Sequence, residues 1–173
     1  MKKTVLLACL AIAIIFSFGS CKKNNESSSY IKGSIDGAAF ECTSGIQANK
    51  PMPLPSGPSD PSLFIKGIWD GYSIKLLLNE QASGRSLSTG TYTFESGKDG
   101  SATIWQNNTE SFYAGSSSFC FGCPITLSGR GTITISEISK NHVKGSFEFV
   151  TGVNMPTSTI KTVTNGEFYV KRS

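Results

Sequence analysis

From Tyr30 onward the apolar residues of this chain recur at every second position, and that period decides what the chain is able to fold into. Ile133 and Ile135 alternate with Thr132, Thr134 and Ser136. Val143, Phe147 and Phe149 share one phase, with Lys144, Ser146 and Glu148 on the other. Ile74, Leu76 and Leu78 repeat the pattern, interrupted by Leu77, and Phe168 and Val170 close it. Successive strand side chains point to opposite faces, so period two marks a strand with one buried face. No window keeps a helical period for three turns, and the domain reads as all-β.

Turn chemistry agrees. Asp36-Gly37, Asp70-Gly71, Asp99-Gly100 and Asn165-Gly166 are dipeptides that adopt positive φ in tight hairpins. The clearest hairpin joins Leu63–Trp69 to Tyr72–Asn79. Nine or ten short strands with turn signals between them predict an antiparallel β-sandwich of about eight to ten strands. A lipocalin-like β-barrel is the alternative. Residues Asn49 to Pro61 hold five of the seven prolines, at positions 51, 53, 55, 58 and 61. Proline cannot donate to a ladder, so this stretch is read as an extended crossover loop, which suits two sheets better than a barrel.

Residues 1–20 read as a targeting segment. Lys2 and Lys3 supply the positive start, Val5 to Phe18 is almost unbroken apolar sequence, and Gly19 and Ser20 are small. The run is shorter than the roughly twenty residues a membrane-spanning helix needs. Phe18-Gly19-Ser20-Cys21 resembles a lipobox, so Cys21 is the expected site of lipidation and of cleavage. An ordinary signal peptide with a coincidental cysteine is the alternative. Residues 21–29 are polar and read as a flexible tether, and residues 30–173 as a single β domain. Of the 16 basic side chains two lie in the leader, so 14 remain against 12 acidic ones, a net charge of +2. That balance points neither to nucleic acid nor to an electrostatic grip on acidic lipid.

Catalytic signals are sparse. Three of the four aspartates precede glycine, and Asp60 precedes Pro61, so each has a backbone role in a turn or loop. His142 is the one histidine, expected in the turn before Val143, with no Gly-x-Ser-x-Gly elbow and no spare aspartate to orient it. A hydrolase would need two glutamates facing across a cleft. No catalytic residue and no cofactor are assigned.

Cysteines and aromatics are the remaining candidates. With Cys9 in the leader and Cys21 lipidated, Cys42, Cys120 and Cys123 are left, the last two in Cys120-Phe121-Gly122-Cys123. A structural disulfide among the three suits an oxidising compartment. A redox pair would want a helix N-terminus, whereas these flanks read as a loop entering a strand. Joined by His142 the three would complete a zinc set, although one Cys-x-x-Cys with scattered partners is a weak metal signal, and no metal site is assigned. Trp69 and Tyr72 flank a hairpin tip, while Trp105 and Tyr113 lie on strands around the Gln106–Glu110 turn. Exposed, these four would stack on sugar rings. Otherwise they are core or cross-strand packing residues.

Four segments carry a resemblance: Tyr30 to Phe40, Gly90-Thr91-Tyr92-Thr93-Phe94, Gly131 to Ile135 with Val143 to Phe149, and Thr164 to Val170. Together they resemble a family of small Bacteroidota lipoproteins classed only as a domain of unknown function. The lysine-rich start after Cys21 looks like the same group. The resemblance implies an all-β domain and an outer-membrane address, on the periplasmic face or the cell surface, and brings no catalytic or binding residues. The expectation is therefore a non-enzymatic, membrane-anchored binding or accessory module for a glycan or an envelope protein. A structural lipoprotein with a disulfide or metal at the Cys-x-x-Cys, or a hydrolase, stands as the alternative.

Overall fold

Alternation of apolar and polar side chains leaves each strand with one face to bury, and two sheets laid face to face bury both sets together. The computed structural model describes residues 28–49, 63–78, 87–94, 99–107, 109–115, 129–153 and 157–172. Among them are eleven strands and no helix: β1 (Tyr30–Ile35), β2 (Ala38–Glu41), β3 (Ser44–Asn49), β4 (Leu63–Trp69), β5 (Tyr72–Leu78), β6 (Gly90–Thr93), β7 (Gly100–Gln106), β8 (Glu110–Ala114), β9 (Arg130–Ile138), β10 (His142–Val150) and β11 (Thr162–Lys171).

A six-stranded sheet runs β2-β1-β11-β10-β9-β6, and a five-stranded sheet runs β3-β4-β5-β7-β8. Every ladder is antiparallel. The sheets pack as a sandwich and do not close, so the barrel alternative falls. Among the described residues their edges are linked by isolated bridges, Ala48 with Arg172 and Gly115 with Gly129, and by the Gly152 N–H donating to Tyr113 O at 2.9 Å. The core between them includes Ile31, Ile65, Ile74, Ile104, Ile133 and Phe168, each at most 1 % exposed. The chain passes between sheets at Cys42 and Thr43: Cys42 N–H donates to Ile31 O in one sheet at 2.7 Å, and Thr43 N–H to Ile68 O in the other at 3.0 Å.

Two of the four turn dipeptides turn hairpins. Asp36-Gly37 joins β1 to β2, with φ of 50° and 85°, and Asp70-Gly71 joins β4 to β5, with φ of 35° and 78°. The other two do not. Gly100 opens β7 opposite Leu78. Asn165-Gly166 lies inside β11, where pairing moves from Ser34–Thr164 to Lys32–Glu167 and Asn165 takes φ 52°. Two residues oppose one there, which is a β-bulge. The same positive φ serves a turn or a bulge, and the strand simply continues through it.

Asp36 also ties the sheet edge together. Its Oδ1 accepts the Thr162 N–H at 2.9 Å and its Oδ2 accepts the Lys161 ammonium at 3.1 Å.

Candidate functional site

Strand phase sorts the four aromatic candidates. Trp69 and Tyr72 stand directly opposite each other, in phase with the buried Ile65 and Ile74, so they belong to the inner face at the end of the sandwich. Trp69 is stacked between Phe40, centroid to centroid 4.5 Å, and Tyr72, 5.3 Å. This trio caps the core. Tyr113 has the outward phase of β8 yet is only 7 % exposed. Burial pushes its phenol above the ordinary range, and its hydrogen bond with Ser101 pulls part of the way back. Its ring is out of reach of a ligand. Trp105, out of phase with the buried Ala102 and Ile104, is half-exposed on the outer face of the five-stranded sheet.

That outer face is unusual for a solvated sheet. Polar residues normally fill the outward phase. Here Phe64 and Ile68 of β4, Leu77 of β5 and Trp105 of β7 hold it, interleaved with Lys66, Lys75, Ser73 and Thr103. Lys66 and Lys75 are directly opposed across the β4–β5 ladder. Like charges so placed repel, and the sheet gives up some stability to hold them. Lys75 Nζ lies 5.6 Å from the Trp105 ring centroid, within cation–π range. Neither lysine has an acidic partner among the described residues.

Beside this pair, a hollow of about 360 Å³ is lined by Lys66, Ile68, Gly71, Tyr72, Ser73 and Asn107. Its floor depends on the hairpin. Gly71 has φ 78°, and any Cβ there would come within 2.7 Å of Asn107 Oδ1. Asn107, itself at φ 50°, donates its N–H to Gly71 O at 2.8 Å, so the β4–β5 and β7–β8 turns are joined. Ser73, which lines the hollow, stands opposite Trp105 in the β5–β7 ladder. The volume is at the small end of ligand pockets. Two larger or comparable hollows, of about 610 Å³ by Lys32 and Glu167 and about 300 Å³ by Thr132 and Glu148, lie on the six-stranded sheet. The first holds an ion pair of 3.3 Å between Lys32 and Glu167, and neither is lined by Trp or Tyr.

His142 differs from the lone turn residue expected. It opens β10, its side chain 21 % exposed, with Nε2 2.7 Å from Glu137 Oε1, Nδ1 3.0 Å from Ser139 Oγ, and its ring 5.0 Å from that of Tyr169. Sequence reasoning considered only aspartates as orienting acids and so missed Glu137, five residues away across the turn. The arrangement has the members of a hydrolase triad. The serine is engaged elsewhere, however. Ser139 Oγ accepts the N–H groups of Asn141 at 3.2 Å and His142 at 3.1 Å. A hydroxyl oxygen has two lone pairs. Both are occupied, so this trio locks the β9–β10 turn and has no pair free for attack.

Cys42 carries a free thiol, 4 % exposed, so the structure does not join it to the Cys-x-x-Cys. Burial first, then the Glu41 charge, push its thiol up to about 12. Cys120 and Cys123 lie outside the described residues, as do Cys21, the leader and most of the proline-rich segment. Among the described residues no three His, Cys, Asp or Glu side chains gather as a metal-ligand set.

The family described as a domain of unknown function, DUF6252, matches residues 27–170. No curated protein and no solved structure matches the chain.

Proposed function

This chain belongs to the family of domains of unknown function DUF6252, and from that premise we propose a non-catalytic binding module that takes a glycan on the outer face of its five-stranded sheet. The observation that carries the reading is the half-exposed Trp105 beside the hollow lined by Lys66, Tyr72, Ser73 and Asn107. A flat indole matches the C–H face of a pyranose, and nearby hydroxyl, amide and ammonium groups supply the directional hydrogen bonds that select among sugars.

The module is held to a Bacteroidota outer membrane by lipid on Cys21. Support comes from the sequence: the Lys2-Lys3 start, the apolar run Val5–Phe18 and Gly19-Ser20-Cys21. Several acyl chains at about 0.8 kcal/mol per buried CH₂ give long-lived anchoring.

The test is a panel of glycans against the full-length chain in a non-ionic detergent. At least one glycan class is retained, and Trp105→Ala loses it by tenfold or more, while Trp69→Phe, inside the core stack, leaves it unchanged. Retention of no glycan by a folded protein, or binding indifferent to Trp105→Ala, refutes the reading.

A further inference from the structure

We infer that the ligand of this face is an anionic glycan, a short chain of pyranoses bearing carboxylates, held by Lys66 and Lys75 while Trp105 stacks on a ring. The inference rests on the binding-module reading and goes beyond it by fixing the charge of the ligand.

Three observations meet here. Lys66 and Lys75 are in register across β4 and β5, so their Cβ atoms stand roughly 5 Å apart. Both side chains are half-buried among Phe64, Ile68, Leu77 and Trp105, which lowers the local dielectric and strengthens their mutual repulsion. No carboxylate shares the outward phase of β4, β5, β7 or β8 among the described residues. Unpaired cations confined on a semi-apolar surface cost stability, and a bound anion removes that cost as it binds.

An anionic sugar answers each part of the face. Its carboxylate sits between the two ammonium groups, and its C–H face covers the indole that Lys75 now overlies at 5.6 Å. Ring hydroxyls reach Ser73 and Asn107 in the adjoining hollow. Outward Tyr113 of β8 is buried, so the open part of the face spans β3, β4, β5 and β7, which at about 4.8 Å spacing is roughly 14 Å across, room for a short run of sugar rings. A net charge of +2 for the residues after the leader conceals this patch, because Glu167 and Asp36 pair with Lys32 and Lys161 on the other sheet.

The full-length chain in non-ionic detergent is titrated with a galacturonate hexamer, a glucose hexamer and a polyglutamate of similar charge, reading tryptophan fluorescence and calorimetric heat. The galacturonate hexamer is expected to bind at least tenfold more tightly than either other probe. Lys66→Gln and Lys75→Gln each weaken it fivefold or more, Lys66→Arg keeps it within twofold, and added salt weakens it in the parent more than in the double glutamine variant. Circular dichroism of each variant confirms that it is folded. Equal binding of the glucose hexamer, or no effect of either glutamine substitution, overturns the anionic ligand while leaving a glycan module standing. Equal binding of polyglutamate overturns the sugar. Binding of no probe by folded protein overturns this inference, and the glycan panel above then decides separately whether the module reading falls with it.

Discussion

Replacing Gly67 by alanine tests how tightly the two sheets are packed where the chain crosses between them. Gly67 lies on β4 opposite Ile74, in the inner phase. A Cβ there would stand 2.5 Å from Cys42 Sγ, 2.8 Å from Cys42 Cβ and 2.9 Å from Ile31 Cδ1. Cys42 and Ile31 are 4 % and 0 % exposed, so neither has open space to move into. Overpacking of this kind costs about 1–3 kcal/mol. Alanine returns about 0.5–1 kcal/mol because glycine loses more chain entropy in a strand. The net expectation is a loss of about 1–2 kcal/mol, a fall in Tm of roughly 3–6 °C for a domain of this size. Cys42→Ala alone leaves a small void and costs about 1 kcal/mol. Combined, the two substitutions relieve the sulfur contact but not those of Cβ or Ile31, so about 1 kcal/mol of the summed cost is recovered. Urea unfolding of the parent, both single variants and the double variant measures that coupling. Additivity within roughly 0.5 kcal/mol would show that the sulfur does not fill the space over Gly67.

Other outcomes follow from the same contacts. In the native protein the Cys42 thiol should resist alkylation at pH 8 and react only after denaturant is added, so rapid native labelling at Cys42 refutes its burial. Its folded value of about 12 lies above the ordinary 9.0, so the folded state keeps a proton that the unfolded chain releases between those values. Stability should therefore fall as pH rises through that window, less steeply in Cys42→Ala, as read by unfolding midpoints. Ser139→Ala should cost about 1 kcal/mol through the β9–β10 turn, and a fluorophosphonate probe should leave Ser139 unlabelled, because labelling would revive hydrolysis. Asp36→Ala removes two hydrogen bonds and a side chain suited to positive φ, and should lower unfolding stability by about 1–2 kcal/mol. Cys21→Ser should abolish incorporation of labelled palmitate and release the chain from membranes, and unchanged labelling would sink the anchor.

Strand phase was legible from parity alone. Ile74, Leu76 and Leu78 share one side of their strand, as do Val143, Phe147 and Phe149 of theirs, and the structure buries all six. Local sequence could not say what covers an outward residue, so it left Tyr113 open between ligand contact and packing, and the structure buries it. Strand β3 gave little signal, since Ser44-Gly45-Ile46-Gln47-Ala48-Asn49 has a single β-branched side chain and owes its pairing to β4. Asn165-Gly166 reads as a hairpin because the dipeptide reports only positive φ, not whether the chain reverses. Glu137 and His142 meet because β9 and β10 are in register around a tight turn, a contact that depends on where the turn falls.

The contrast between the two outer faces is the strongest argument about where function lies. On the six-stranded sheet the outward phase is mostly polar apart from the stacked pair Tyr30 and Tyr169: Thr91 and Thr134 bond to each other at 3.0 Å, and Lys32 is neutralised by Glu167. On the five-stranded sheet the rule fails twice at once, with apolar side chains facing outward and two ammonium groups opposed without an acid among the described residues. Either departure alone has an ordinary explanation, because scattered surface hydrophobes are normal and lysines on a sheet edge discourage aggregation. These lysines are on β4 and β5, which have neighbours on both sides, so edge protection does not account for them. A sheet interior that keeps repelling charges gains little from them in the free protein beyond the contact of Lys75 with the Trp105 ring. On the reading proposed above, something negative and flat lying across the face offsets that cost.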